Sequence, residues 1–118
     1  MLSSTKEKGK EGEDLAVSFL VEKGFEIIER NYRYGKGELD IIARDKEFLV
    51  FVEVKSRESL EYGKPEEAIT KRKMSQVRKI TEAYLAEKDI REENIRFDVV
   101  AILFLNDEVT INHYENAF

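Results

Sequence analysis

Asp40, Glu53 and Lys55 are spaced as an aspartate, twelve residues, a glutamate, one residue and a lysine. They sit in two strings that read as strands, GELDIIAR (37–44) and FLVFVEVK (48–55). Side chains two apart on a strand share a face. Glu38 therefore goes with Asp40, and Glu53 with Lys55. If the two strands are hairpin neighbours, an aspartate and a Glu-x-Lys meet. Two carboxylates a few ångströms apart repel each other and make sense around a divalent cation. Mg²⁺ and similar hard ions take oxygen ligands and keep several waters. A lysine alongside can hold a phosphate or orient an attacking water. The plainer reading is the polar face of a half-exposed sheet, where Glu opposite Lys is common. Against it, FLVFV is apolar on both faces and DIIA nearly so. That pattern marks internal strands, where unpaired carboxylates are costly.

Glu13 is a third acidic candidate. It falls in line with Ala16 and Leu20, at i+3 and i+7, and so is expected to face the sheet from a helix. Gly9 and Gly12 lie in the same helix start, where each glycine costs roughly 1 kcal/mol against alanine. A close approach to backbone or ligand would explain them.

Other chemistry is excluded by composition. The 118 residues contain no cysteine and one histidine, His113. Thiolate chemistry and disulfides are out, a His-cluster metal site is out, and His113 is expected to be structural. Apolar residues make up 42% and charged residues 38%, enough for one core with an unusually charged surface. No apolar run approaches the roughly 18 residues of a membrane span, and MLSSTKEKGKEGED is no signal peptide. A cytoplasmic protein with a single domain over 1–118 is expected. The net charge of −5 does not advertise a nucleic-acid binder, although a local patch can still bind.

The elements that must position these residues follow from periodicity and turn signals. A helix capped by Ser3, Ser4 or Thr5 runs to about Lys23 and stops at Gly24. Strands follow at 25–30, 37–44 and 48–55, with 31–36 (NYRYGK) as a turn and Asp45-Lys46 as a tight turn. Pro65 opens a helical stretch, broken near Thr70, that continues to about Lys88 with Ile69, Met74, Val77, Ile80, Tyr84 and Leu85 as its apolar stripe. Strands at 95–105 and 109–114 pair across Asn106-Asp107. The order is α-β-β-β-α-β-β. A helix between strands three and four implies a crossover and a parallel pair inside a mixed sheet.

KRKMSQVRK (71–79) holds five basic residues and no acid. Residues seven apart on a helix fall on nearly one line. Lys71 therefore goes with Arg78, and Arg72 with Lys79, while Lys73 falls in the apolar stripe and can face the sheet. Arg57 follows the third strand, and Arg33, Tyr34 and Lys36 interleave charge and rings before the second. Such residues suit a nucleic-acid backbone. A solvated helix face and turn packing are the plainer alternatives.

The strings GKEGEDLAVSFL, GELDIIARD, FVEVKSR, YGKPEEAITKRK, RFDVVAI and the terminal NAF resemble the YraN family of small bacterial proteins, in order and along essentially the whole chain. That family is similar to archaeal Holliday-junction resolvases and is grouped with the PD-(D/E)xK nucleases. The resemblance implies a restriction-endonuclease-like core, a mixed sheet flanked by helices. It implies Mg²⁺ or Mn²⁺ held by Asp40 and Glu53, with the Val54 carbonyl as a further ligand and Glu13 supporting the site. Lys55 would be the motif's lysine. The motif's proline is absent, since Leu39 precedes Asp40. DNA, branched DNA included, is the implied partner, and a two-fold dimer the implied assembly. The resulting expectation is a metal-dependent endonuclease. The alternative is a nucleic-acid-binding module that keeps the fold without turnover. An acidic adaptor for other proteins is a third reading.

Overall fold

A computed structural model describes residues 5–118, with side chains from residue 9 onward. Helix α1 (Thr5–Glu22) precedes strands β1 (Glu26–Tyr34), β2 (Gly37–Asp45) and β3 (Phe48–Arg57). A single 3₁₀ turn (Pro65–Ala68) leads into helix α2 (Lys71–Glu87), and strands β4 (Asn94–Leu105) and β5 (Glu108–Tyr114) close the chain. The five strands form one sheet in the order β1-β2-β3-β4-β5. β3 and β4 are parallel and the other pairs antiparallel, as a helical crossover between strands three and four requires.

The two helices cover opposite faces of this mixed sheet, which is why its inner strands are apolar on both sides. On one face Ala16 and Leu20 of α1 pack on Ile41, Val50, Val52, Val100 and Ile102. On the other, Val77, Ile80 and Tyr84 of α2 pack on Leu39, Ile42, Leu49 and Phe51. Phe51 and Leu20 are fully buried, and burial of such a side chain is favourable by roughly 1.5–3 kcal/mol. No described helix is long and apolar enough to cross a membrane.

The N-cap expected at Ser3, Ser4 or Thr5 lies outside the described side chains. α1 stops at Glu22. Gly24 adopts φ +97°, and the Phe25 N–H donates back to the Leu20 carbonyl at 3.0 Å, a left-handed C-terminal closure suited to glycine. The break near Thr70 is an N-cap: its Oγ1 accepts from the Lys73 N–H at 3.2 Å. Three expected boundaries are corrected. Asp45 is the last residue of β2, paired with Phe48, so the tight turn is Lys46-Glu47. NYRY is not a turn but the continuation of β1, paired as Tyr32↔Leu39, Arg33↔Glu38 and Tyr34↔Gly37. Tyr32 is buried there with its ring edge-on to Tyr84, and that packing holds an otherwise polar segment in the ladder. Only Gly35 and Lys36 remain for the turn. β3 runs on through Ser56 and Arg57 because β4 keeps pairing with it as far as Arg57↔Leu103.

His113 and Asp98 have structural roles. Asp98 is fully buried and accepts from Arg96 at 2.9 and 3.0 Å and from the Asn116 N–H at 3.0 Å. His113 Nε2 lies 2.8 Å from it. Burial alone would raise the Asp98 carboxyl, but His113, Arg96 and the Asn116 N–H outweigh burial and hold it below the ordinary aspartate range.

Candidate functional site

β2 and β3 pair only as far as Ile41↔Val52. Beyond that point β2 stays with β1 to Tyr34↔Gly37, and β3 stays with β4. The two strands part, and Asp40 and Glu53 are the first residues past the last pair. The Val54 N–H points into the opening and donates to Asp40 Oδ2 at 2.8 Å. A carboxylate thus takes the place of a strand carbonyl.

Neither acid is comfortable. Burial, then the charge of Glu53, then that of Glu13 push the Asp40 carboxyl up to about 8 from an ordinary 3.8, against the pull of the Val54 N–H and Lys73. Glu53 is 1% exposed, and burial raises its carboxyl too, with Lys73 and Lys55 opposing. Lys73 Nζ lies 3.3 Å from Glu53 Oε2, while Oε1 is buried with no hydrogen-bond partner. A buried carboxylate with one bare oxygen is expensive unless a cation meets it.

Glu13 reaches the same opening from α1. One carboxylate oxygen each from Glu13, Glu38 and Asp40 lie within 4.8 Å of one another. Glu38, secondary in the sequence pattern, is therefore a full member of the acidic cluster. Asn31 joins two of the three: its Nδ2 donates to Glu13 Oε1 at 2.7 Å and to Glu38 Oε1 at 2.8 Å. Periodicity does not single out Asn31. Its one signal is conformational, since it holds φ +54° inside β1, which asparagine tolerates better than most residues. Gly12 allows α1 to come this close, because a Cβ there would stand 3.1 Å from Ser56 Cβ. Gly9 has no protein atom within 4 Å of that position, so no close backbone approach accounts for it.

The basic candidates fall into separate groups. Lys55 and Arg57 follow Glu53 at two-residue steps, on one face of β3. Lys55 lies near enough to lower the Glu53 carboxyl, and Arg57 Nε is buried without a partner. Lys73 spans from α2 to Glu53. Lys36, Arg72, Lys73 and Lys79 line a cleft of about 660 Å³ between the β1–β2 turn and α2, and no acidic side chain lines it. Arg78 points elsewhere: its guanidinium lies over Phe97 at 5.8 Å and Phe118 at 5.9 Å. Lys71 is exposed at the start of α2, outside the cleft. Arg33 pairs with Glu38 at 3.2 Å on the rim of the acidic cluster.

The Lys73–Glu53 pair has a measurable consequence. In metal-free protein near pH 8, Lys73→Met should lower stability to urea by about 2–3 kcal/mol, because it strands a buried charge. Adding Glu53→Gln should recover most of that loss. Additive effects in the double-mutant cycle would mean the pair is not coupled.

Residues 12–102, which hold both acids and the cleft, match the family model described as "Uncharacterised protein family UPF0102". Similar proteins, each named "UPF0102 protein", span nearly the full chain on both sides. One from Dictyoglomus turgidum is 43% identical over 117 residues, covering 98% of this chain and 99% of its own. One from Persephonella marina is 46% identical over 111 residues, 94% and 92%. One from Chlorobium limicola is 46% identical over 116 residues, 93% and 90%. With the family model spanning the parted strands and the relatives aligned almost end to end, the chain belongs to the UPF0102 family.

Proposed function

We propose that this chain is a single nuclease-like domain, a metal-dependent endonuclease that hydrolyses phosphodiester bonds in DNA, branched or otherwise structured DNA included. The observation that carries the reading is Glu53: a buried carboxylate with an unpartnered oxygen, charge-coupled to Asp40 at the point where two strands part. The carboxylate oxygens of Glu13, Glu38 and Asp40, within 4.8 Å of one another, suit Mg²⁺ or Mn²⁺, because they repel one another without a cation. Asp40 and Glu53 would hold the ion. The Val54 carbonyl projects to the same strand edge as the N–H that binds Asp40 and would join them, with Glu13 alongside. An ion held by these residues would supply a water of lowered pKa and a positive charge against the phosphate.

The remaining roles belong to the chain. Lys55 would stabilise the phosphate or orient the attacking water. Asn31 fixes the directions of Glu13 and Glu38, as supporting hydrogen bonds do around metal ligands. Lys73 balances Glu53 while no ion is present. Lys36, Arg72 and Lys79 would neutralise the DNA backbone, a role that positions the strand without reading sequence.

The test is a cleavage assay on linear, nicked, flapped and four-way DNA with Mg²⁺ and with Mn²⁺, with Asp40→Asn as the control. Cleavage of at least one form, lost in the variant, supports the reading. A wild type that cuts none of them would leave the binding module as the better description. Replacing Lys36, Arg72 and Lys79 together with alanine should reduce the salt slope of DNA binding by about 2–3, close to one unit for each phosphate no longer neutralised. An unchanged slope would return these residues to a solvated surface.

A further inference from the structure

The cleft between the β1–β2 turn and α2 is more than a charged surface. Its volume is about 660 Å³, within the range of pockets that enclose small ligands. Gly35, at φ +59° in the first central position of the two-residue turn, lets the hairpin close tightly. Gly37 then brings the hairpin against α2, since a Cβ there would meet Ile80 Cδ1 at 2.7 Å. Tyr34 is one of the cleft's lining residues. Tyr32 and Tyr34 are two apart on β1 and share a face, but their fates differ. Tyr32 is in the core, whereas Tyr34 is 56% exposed. Tyr34 lines the cleft together with Lys36, Arg72, Gln76 and Lys79. Lys73 belongs to the cleft and to the Glu53 ion pair alike. A strand in the cleft that reached Lys73 would lie next to Glu53.

We propose that this cleft holds an unpaired nucleotide of the substrate, its base against the Tyr34 ring and its phosphates against Lys36, Arg72 and Lys79. The class of DNA handled here then carries a single-stranded segment beside the bond to be cut. The part concerning the cut rests on the nuclease reading; the part concerning binding does not. One physical limit selects the unpaired strand. Inside a duplex each base face is already stacked, so a protein ring can only stack on a base that has left the helix.

The experiment measures binding by fluorescence anisotropy with Ca²⁺ replacing Mg²⁺. The probe is a short fluorescein-labelled oligonucleotide, single-stranded or annealed to its complement. The wild type should bind the single strand more tightly than the blunt duplex. Tyr34→Ala should weaken single-strand binding about tenfold or more, affect the duplex much less, and retain the wild-type melting temperature. Tyr34→Phe should keep the preference, because the ring is what stacks. Equal wild-type affinity for the two probes, or equal losses on both in Tyr34→Ala, would overturn the inference. The cleavage assay is read separately. A wild type that cuts DNA without a single-strand preference sinks the cleft proposal and leaves the nuclease. A wild type that prefers single strands through Tyr34 but cuts nothing does the reverse.

Discussion

Lys55→Ala should lower the rate of DNA cleavage by about a hundredfold or more, the usual loss when one electrostatic stabiliser of a transition state is removed. Its effect on DNA affinity should be much smaller. Lys55 lies on the face of β3 that carries Glu53, close enough to act on that carboxylate. In the proposed reaction its ammonium would act where phosphate charge develops. Only interactions that strengthen in the transition state speed the chemical step. Single-turnover rates at saturating enzyme, set against anisotropy measured with Ca²⁺, separate the two effects. Lys55→Arg should not restore the full rate, because a planar guanidinium replaces a compact ammonium. Metal binding should persist in both variants, since the carboxylates are untouched. Equal single-turnover rates for the wild type and Lys55→Ala would discard the assigned role even with the fold correct.

The second large effect concerns the carboxylates without metal. Burial and the charges of Glu53 and Glu13 raise Asp40 to about 8, against 3.8 ordinarily. Between these values the folded protein holds a proton that the unfolded chain has lost. Stability therefore falls as pH rises across that window. The contribution is fully present below about pH 4 and is lost as pH passes through about 8. In EDTA at pH 9, Asp40→Asn should be more stable than wild type by several kcal/mol. At pH 5 the difference should be much smaller, and it should nearly vanish only below about pH 4. Asn keeps an oxygen to accept from the Val54 N–H and removes only the charge. Mn²⁺ should close the gap from the other side, raising the melting temperature of the wild type and not that of the variant. Urea unfolding at both pH values checks the sign. A variant less stable than wild type at pH 9 would show that Asp40 is not held in a repelling cluster.

Much of the framework is legible in the residues themselves. The two-sided apolar runs DIIA and FLVFV require strands covered on both faces, and α1 and α2 cover them. The helical stripe directs Lys73 inward, and it meets Glu53. Thr70 marks the start of α2 because its hydroxyl can cap the helix. These features depend on local periodicity and on groups a few residues apart, and such information is carried by the chain alone.

What the tertiary structure decided is where neighbours stop being neighbours. Nothing in GELDIIAR or FLVFVEVK says that β2 and β3 separate after Ile41↔Val52. That point depends on β1 keeping one strand and β4 the other, which is a balance of packing over the whole sheet. The same balance extends β1 through NYRY, because Tyr32 finds a place against Tyr84. It turns Arg78 toward Phe97 and Phe118, leaves Gly9 without a close neighbour, and brings Asn31 between Glu13 and Glu38. Residue spacing determined which side chains share a face along β3, whereas β2 breaks the alternation at Asp40, with Leu39 against α2 and Ile41 against α1. The distance between strands, and with it the charge coupling of Asp40 and Glu53, exists only once long-range packing has set how far each ladder runs.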